Sequence, residues 1–137
     1  MPLLSTSIPT QSYRGGAWGD FNNDGRIDIV VLPVDGKPLL LENRSLTRHA
    51  WSGLRLRGGR SNRDALGARV EIDSCGKKQF GTMRNGDSYL SHNDPRVHFG
   101  LGTCGKIDAV TIRWPSGAIQ RLTDLPVNRY ITVAEGQ

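Results

Sequence analysis

Residues 110–117 read VTIRWPSG. On an extended chain Val110, Ile112 and Trp114 share one side while Thr111 and Arg113 share the other, because successive strand side chains point to opposite faces. Pro115-Ser116-Gly117 then ends the run, since proline presets the first corner of a turn and glycine supplies positive φ. The stretch therefore reads as a strand buried on one side and closed by a tight turn, with Trp114 packed in the core.

The same pattern recurs along the chain. Leu54 and Leu56 alternate with Arg55 and Arg57; Leu66, Ala68, Val70 and Ile72 alternate with Gly67, Arg69, Glu71 and Asp73. Val97, Phe99 and Leu101 repeat it, and Ile131 and Val133 share a face near the end. Between these runs lie turn phrases, VDGK at 34–37, RGGR at 57–60 and RNGD at 84–87. Short strands at close spacing predict an all-β protein, an antiparallel sandwich or barrel-like unit, with no helix beyond a turn or two.

The 137 residues suit one domain, or one domain with a small appendage, a size that buries roughly 68% of its unfolded surface. Two zones are predicted: 1–43, with a hairpin of Ile27–Leu32 and Pro38–Glu42 around Asp35-Gly36, and a larger β unit over 44–137. The hairpin zone is expected to pack on the larger unit. Charge divides the same way: residues 1–43 hold three Lys/Arg against five Asp/Glu, and the remainder hold fifteen against eight. A basic second zone admits nucleic acid or acidic glycans as partners. Its arginines alternate with apolar residues and do not cluster, which reads as a solvated strand face and argues against nucleic acid. No apolar run approaches the ~20 residues of a membrane span, and Met1–Ser7 has no cationic start or apolar length for a signal peptide. Cys75 and Cys104, the two cysteines, each open a Cys-Gly-Lys phrase in a turn; one bridge and two buried thiols both remain open.

Ahead of the hairpin, residues 19–31 read GDFNNDGRIDIVV. Counting from Asp20, side-chain oxygens occupy the first, third, fifth and ninth positions: Asp20, Asn22, Asp24 and Asp28. A loop curled round a hard cation turns alternate residues inward. Gly25 allows the bend, and Arg26 offers its backbone carbonyl while its side chain is expected to leave the site. The set suits Ca²⁺, which takes 6–8 oxygens, better than Mg²⁺. An EF-hand needs Glu at the twelfth position, where this chain has Val31, and a strand follows in place of a helix. The opposing reading is a plain Asx turn, but converging carboxylates repel unless a cation neutralises them. The ion is expected to hold the loop and to do no chemistry.

This loop resembles the FG-GAP/VCBS repeat of integrin-type β-propellers, whose ligand positions fall on Asp20, Asn22, Asp24, the Arg26 carbonyl and Asp28. The remainder resembles the ASPIC/UnbV domain through three phrases in the family's order: SNRDALGARV at 61–70, SHNDPRVHFGLG at 91–102 and VTIRWPSG at 110–117. The resemblance implies a secreted or periplasmic protein in which such domains follow several FG-GAP repeats. One repeat here suggests the tail of a longer protein, or a repeat recruited as extra strands.

Other candidates are fewer. Arg63 and Asp64, in a loop with Asn62, suit a sugar or peptide carboxylate; the plainer expectation is that Asp64 caps the loop backbone and pairs with an arginine. Tyr89 suits a carbohydrate platform. His49, His92 and His98 are scattered and no nucleophile elbow or zinc helix occurs, so no catalytic residues are assigned. The expectation is a non-catalytic, calcium-stabilised module binding an extracellular protein or glycan. The alternatives are a structural end-cap of a propeller and, less favoured, an enzyme acting on polysaccharide.

Overall fold

The computed structural model describes residues 8–137, so the leader reading of Met1–Ser7 lies outside the described residues. Ten strands follow one another and no helix occurs among the described residues: β1 (Tyr13–Gly19), β2 (Asp28–Pro33), β3 (Leu39–Leu41), β4 (Ala50–Arg57), β5 (Arg69–Ser74), β6 (Lys77–Thr82), β7 (Val97–Gly102), β8 (Ala109–Arg113), β9 (Ile119–Leu122) and β10 (Tyr130–Ala134). The all-β reading holds. The chain divides into two compact units, one of residues up to Thr47 together with Asn85–Asp94, the other of Arg48–Arg84 and Pro95–Gln137.

The second unit is a sandwich of two sheets, ordered β10-β4-β7 and β6-β5-β8-β9. Leu54, Leu56, Val97, Phe99 and Val133 from the first sheet meet Val70, Ile72, Val110 and Ile112 from the second in one buried cluster. These are the apolar members of the alternating runs. Removing each from water is worth roughly 1.5–3 kcal/mol. Register places Val70 opposite Ile112 and Ile72 opposite Val110, so both rows face the same side. Trp114 is buried with them, as expected, and its indole N–H donates to Gln120 Oε1 at 3.0 Å. One pair departs from the antiparallel expectation: β10 runs parallel to β4, with Ile131 beside Leu54 and Val133 beside Leu56. Alternation reveals which face is buried and is blind to strand direction.

Three strands escape the sequence pattern. β1 carries Gly15 and Gly16, β6 has Phe80 as its one large apolar side chain, and β9 is four residues long, so none shows a sustained period of two. The predicted hairpin is accordingly a three-stranded antiparallel sheet, β1-β2-β3. The predicted strand over 66–73 is shorter than its alternation. Ala65 and Gly67 have positive φ, and the Ala68 amide donates to the Ala65 carbonyl, so Leu66–Ala68 is a turn and β5 starts at Arg69. Ala65 and Ala68 are nevertheless fully buried.

Cys75, in the β5–β6 turn, and Cys104, after β7, form a disulfide with Cα atoms 6.1 Å apart.

Candidate functional site

The acidic loop joins β1 to β2 in the first unit. Asn23 and Gly25 take positive φ, which folds the backbone over Asp20. Asp20 Oδ1 accepts the Asp24 amide at 3.0 Å and Oδ2 accepts the Gly25 amide at 2.7 Å. Asp28, first residue of β2, accepts the Phe21 amide at 3.2 Å on Oδ2 and the Asn43 amide at 2.7 Å on Oδ1. Asp20 and Asp28 are 1% and 2% exposed. Buried carboxylates persist where several N–H donors or a cation meet them. Asn22 Oδ1 also accepts the Asp24 amide, and Asn22 Nδ2 donates to Asp24.

Arg26 departs from expectation. Its side chain was expected to leave the site; it folds back and ion-pairs with Asp24, while its Nε donates to the Asn43 carbonyl at 2.6 Å. The cause is proximity, since the guanidinium is the positive group two residues from a carboxylate on a tight loop. Among the described residues no three His, Cys, Asp or Glu side chains converge as a metal-holding group. Three carboxylates, the Asn22 amide oxygen and the Arg26 carbonyl lie on one short loop, with Asp20 and Asp28 turned to backbone amides and Asp24 to the Arg26 guanidinium.

Asn43 is the residue that the sequence did not single out. Its N–H binds Asp28, its C=O receives Arg26 and its side-chain Nδ2 donates to the Ile27 carbonyl at 3.3 Å. It stands just past β3, which pairs with β2, so only the register of the sheet brings it to the loop.

The segment Asn85–Asp94 sits in sequence between β6 and β7 yet clusters with the first unit. Asn93 Oδ1 accepts the Trp18 amide at 3.1 Å, and the Asp94 amide donates to the Trp18 carbonyl at 2.9 Å. Glycine permits this approach: a Cβ on Gly19 would lie 2.8 Å from the Cβ of Asp94. The boundary predicted at 43/44 leaves this segment with the second zone, because contacts 75 residues apart have no signature in a linear pattern.

Tyr89 is on this segment and 63% exposed. Arg63 and Asp64 are exposed in a loop of the other unit, so the three candidates fall in different units. The expected cap is also different: Asn62, not Asp64, closes that loop, its Oδ1 accepting the Leu66 amide at 2.8 Å and its Nδ2 donating to the Leu66 carbonyl at 2.9 Å. An amide side chain supplies both a donor and an acceptor to one residue, which a carboxylate does not.

Residues 58–137 match the family model described as ASPIC and UnbV. The chain belongs to the ASPIC and UnbV family. Among curated proteins, none matches it. The matched region of this ASPIC and UnbV protein begins just after β4, although Leu54 and Leu56 of that strand are in the core with the family's own strands. It also contains Asn85–Asp94, which clusters with the first unit.

Proposed function

We propose that the chain is a non-catalytic β module which binds an extracellular protein or glycan, with its acidic loop an FG-GAP/VCBS-like calcium site. The observation that carries the reading is the apolar surface of the first unit. Trp18 of β1 and Ile29 of β2 are register partners on one face and are 42% and 46% exposed; Leu40 of β3, paired with Val30 on the other face, is 50% exposed. Tyr89 and Leu90 stand exposed on the 85–94 segment of the same unit. The Trp18–Ile29 pair, two large apolar side chains exposed side by side on one face, is the part of this surface suited to a partner.

Calcium enters the reading through the loop's donor set, held by Asp20, Asn22, Asp24, the Arg26 carbonyl and Asp28. The ion would fix the loop and thereby the ends of β1 and β2. The disulfide supports an oxidising compartment, secreted or periplasmic.

A second reading, the end-cap of a β-propeller, is favoured by one feature. A three-stranded sheet with half-exposed apolar residues on both faces suits a blade that neighbouring blades would cover.

The test is a glycan and peptide array probed with and without millimolar calcium, using the wild type and Trp18→Asp. Calcium-dependent binding lost in the variant supports the module. An array without hits, together with a rise in stability when repeat sheets are fused upstream, supports the end-cap.

A further inference from the structure

Five hydrogen-bond donors surround Glu135 in the second unit. Glu135 follows β10, and its backbone amide donates to the Arg57 carbonyl at the end of β4 at 2.9 Å. Its Oε2 accepts three successive backbone N–H groups, those of Gly59, Arg60 and Ser61, at 2.9, 2.9 and 2.7 Å. Its Oε1 accepts the hydroxyls of Ser61 at 3.0 Å and Ser116 at 2.5 Å.

Consecutive amides aimed at one point form a concave anion site. The backbone here is shaped for that purpose. The Gly58 amide donates to the Arg63 carbonyl at 3.0 Å, and a Cβ on Gly58 would lie 2.1 Å from the Asn62 carbonyl oxygen, so only glycine lets the loop close this tightly. Ser116 is fixed as well, its own amide donating to Ser61 Oγ at 3.1 Å. Five donors converge on two oxygens, with the amides on one and the hydroxyls on the other, an arrangement suited to a flat two-oxygen anion.

We propose that Gly59–Ser61 and the Ser116 hydroxyl form a carboxylate-binding nest, filled within the chain by Glu135, that accepts a small free carboxylate when the Glu135 carboxylate is withdrawn. The nest joins the loop after β4 and the end of β10, both in one sheet, to the β8–β9 turn of the other sheet. Its occupancy therefore clasps the two sheets at one end of the sandwich.

The experiment is thermal unfolding of wild type and Glu135→Ala at neutral pH, in sodium acetate, sodium sulfate or sodium chloride at matched ionic strength. The variant is expected to melt several degrees below wild type in chloride and to recover part of that loss in acetate, with a saturable dependence. Wild type, its nest already filled, is expected to show no difference between acetate and chloride. Equal melting of the variant in acetate and chloride overturns the proposal, as does recovery by sulfate without recovery by acetate. Should Glu135→Ala be unfolded in chloride, circular dichroism of the same variant at rising acetate reads the same site. Recovery of β structure in acetate at concentrations where sulfate and chloride give none is expected, and equal recovery, or equal lack of it, in all three salts overturns the proposal.

Discussion

Arg26 lays its guanidinium on the carboxylate of Asp24, two residues earlier in the same loop. The residue whose carbonyl is proposed as a calcium ligand thus supplies a competing positive charge through its side chain. Arg26→Gln keeps the carbonyl and removes the competitor, so its calcium affinity should exceed that of wild type. Asp24→Ala should abolish the rise in melting temperature that calcium gives wild type. At ten times its Kd the ion would stabilise the folded chain by about 1.4 kcal/mol. Affinity itself is expected at about 10⁻⁴–10⁻³ M, as in extracellular modules. Calorimetric titration and melting curves with chelator or millimolar calcium check both variants, and identical wild-type curves in the two buffers would remove the loop assignment.

The Cys75–Cys104 bridge closes a loop with a sequence separation of 29. Cross-linking a loop of that length removes unfolded-state entropy worth about 3–4 kcal/mol in the chain-entropy account. Cys75→Ser paired with Cys104→Ser should lower stability by about that amount in urea unfolding, and reductant should lower wild type and leave the double variant unchanged. A double variant as stable as oxidised wild type would show that the bridge adds nothing.

Burial pushes the Glu135 carboxyl upward, but the Ser116 hydroxyl, the Ser61 and Gly59 amides and the Ser61 hydroxyl outweigh it and hold the group at about 2, below its ordinary 4.5. A depressed acid contributes stability that is complete above the unfolded value. Below about 4.5 the unfolded chain takes up the proton first, so the contribution declines, and it is gone once pH has fallen through about 2. Wild type should therefore lose stability between these limits more steeply than Glu135→Gln does. Urea midpoints measured from pH 5 to pH 2 give the comparison, and parallel curves would remove Glu135 as the cause.

The matched family region starts at Gly58, yet the edge strand β10 pairs in its sheet with β4 alone, and Leu54 and Leu56 of β4 lie 0% and 3% exposed in the core. Deleting two such leucines costs about 2–5 kcal/mol each, comparable in sum with the whole stability of a small domain. A fragment spanning 58–137 should be unfolded by circular dichroism and amide dispersion, whereas 48–137 retains β structure. A folded 58–137 fragment would mean that β4 is dispensable.

The alternating residues of β4, β5, β7, β8 and β10 were legible where buried apolar positions alternate with more exposed ones, as at Leu54–Arg57. Trp51–Leu54 of β4 and Ala109–Val110 of β8, by contrast, are buried on both faces and carry no such signal. β1 and β9 were not, since glycines in one and brevity in the other hide the period. In the loop, the spacing of Asp20, Asn22, Asp24 and Asp28 was plain in the sequence, whereas Asn43 joined it through sheet register. The direction in which Arg26 turned depended on which charge lay nearest in space.

By itself the sequence determined the fold class, the identity of most core residues and the place of the acidic loop, because periodicity, turn chemistry and the spacing of acidic residues are local properties. Tertiary structure decided the parallel β10–β4 pair, the Cys75–Cys104 bridge, the transfer of Asn85–Asp94 to the first unit and the gathering of donors around Glu135. Each of these joins residues far apart in the chain, and such a contact is fixed by how whole sheets pack and register, which no single stretch encodes.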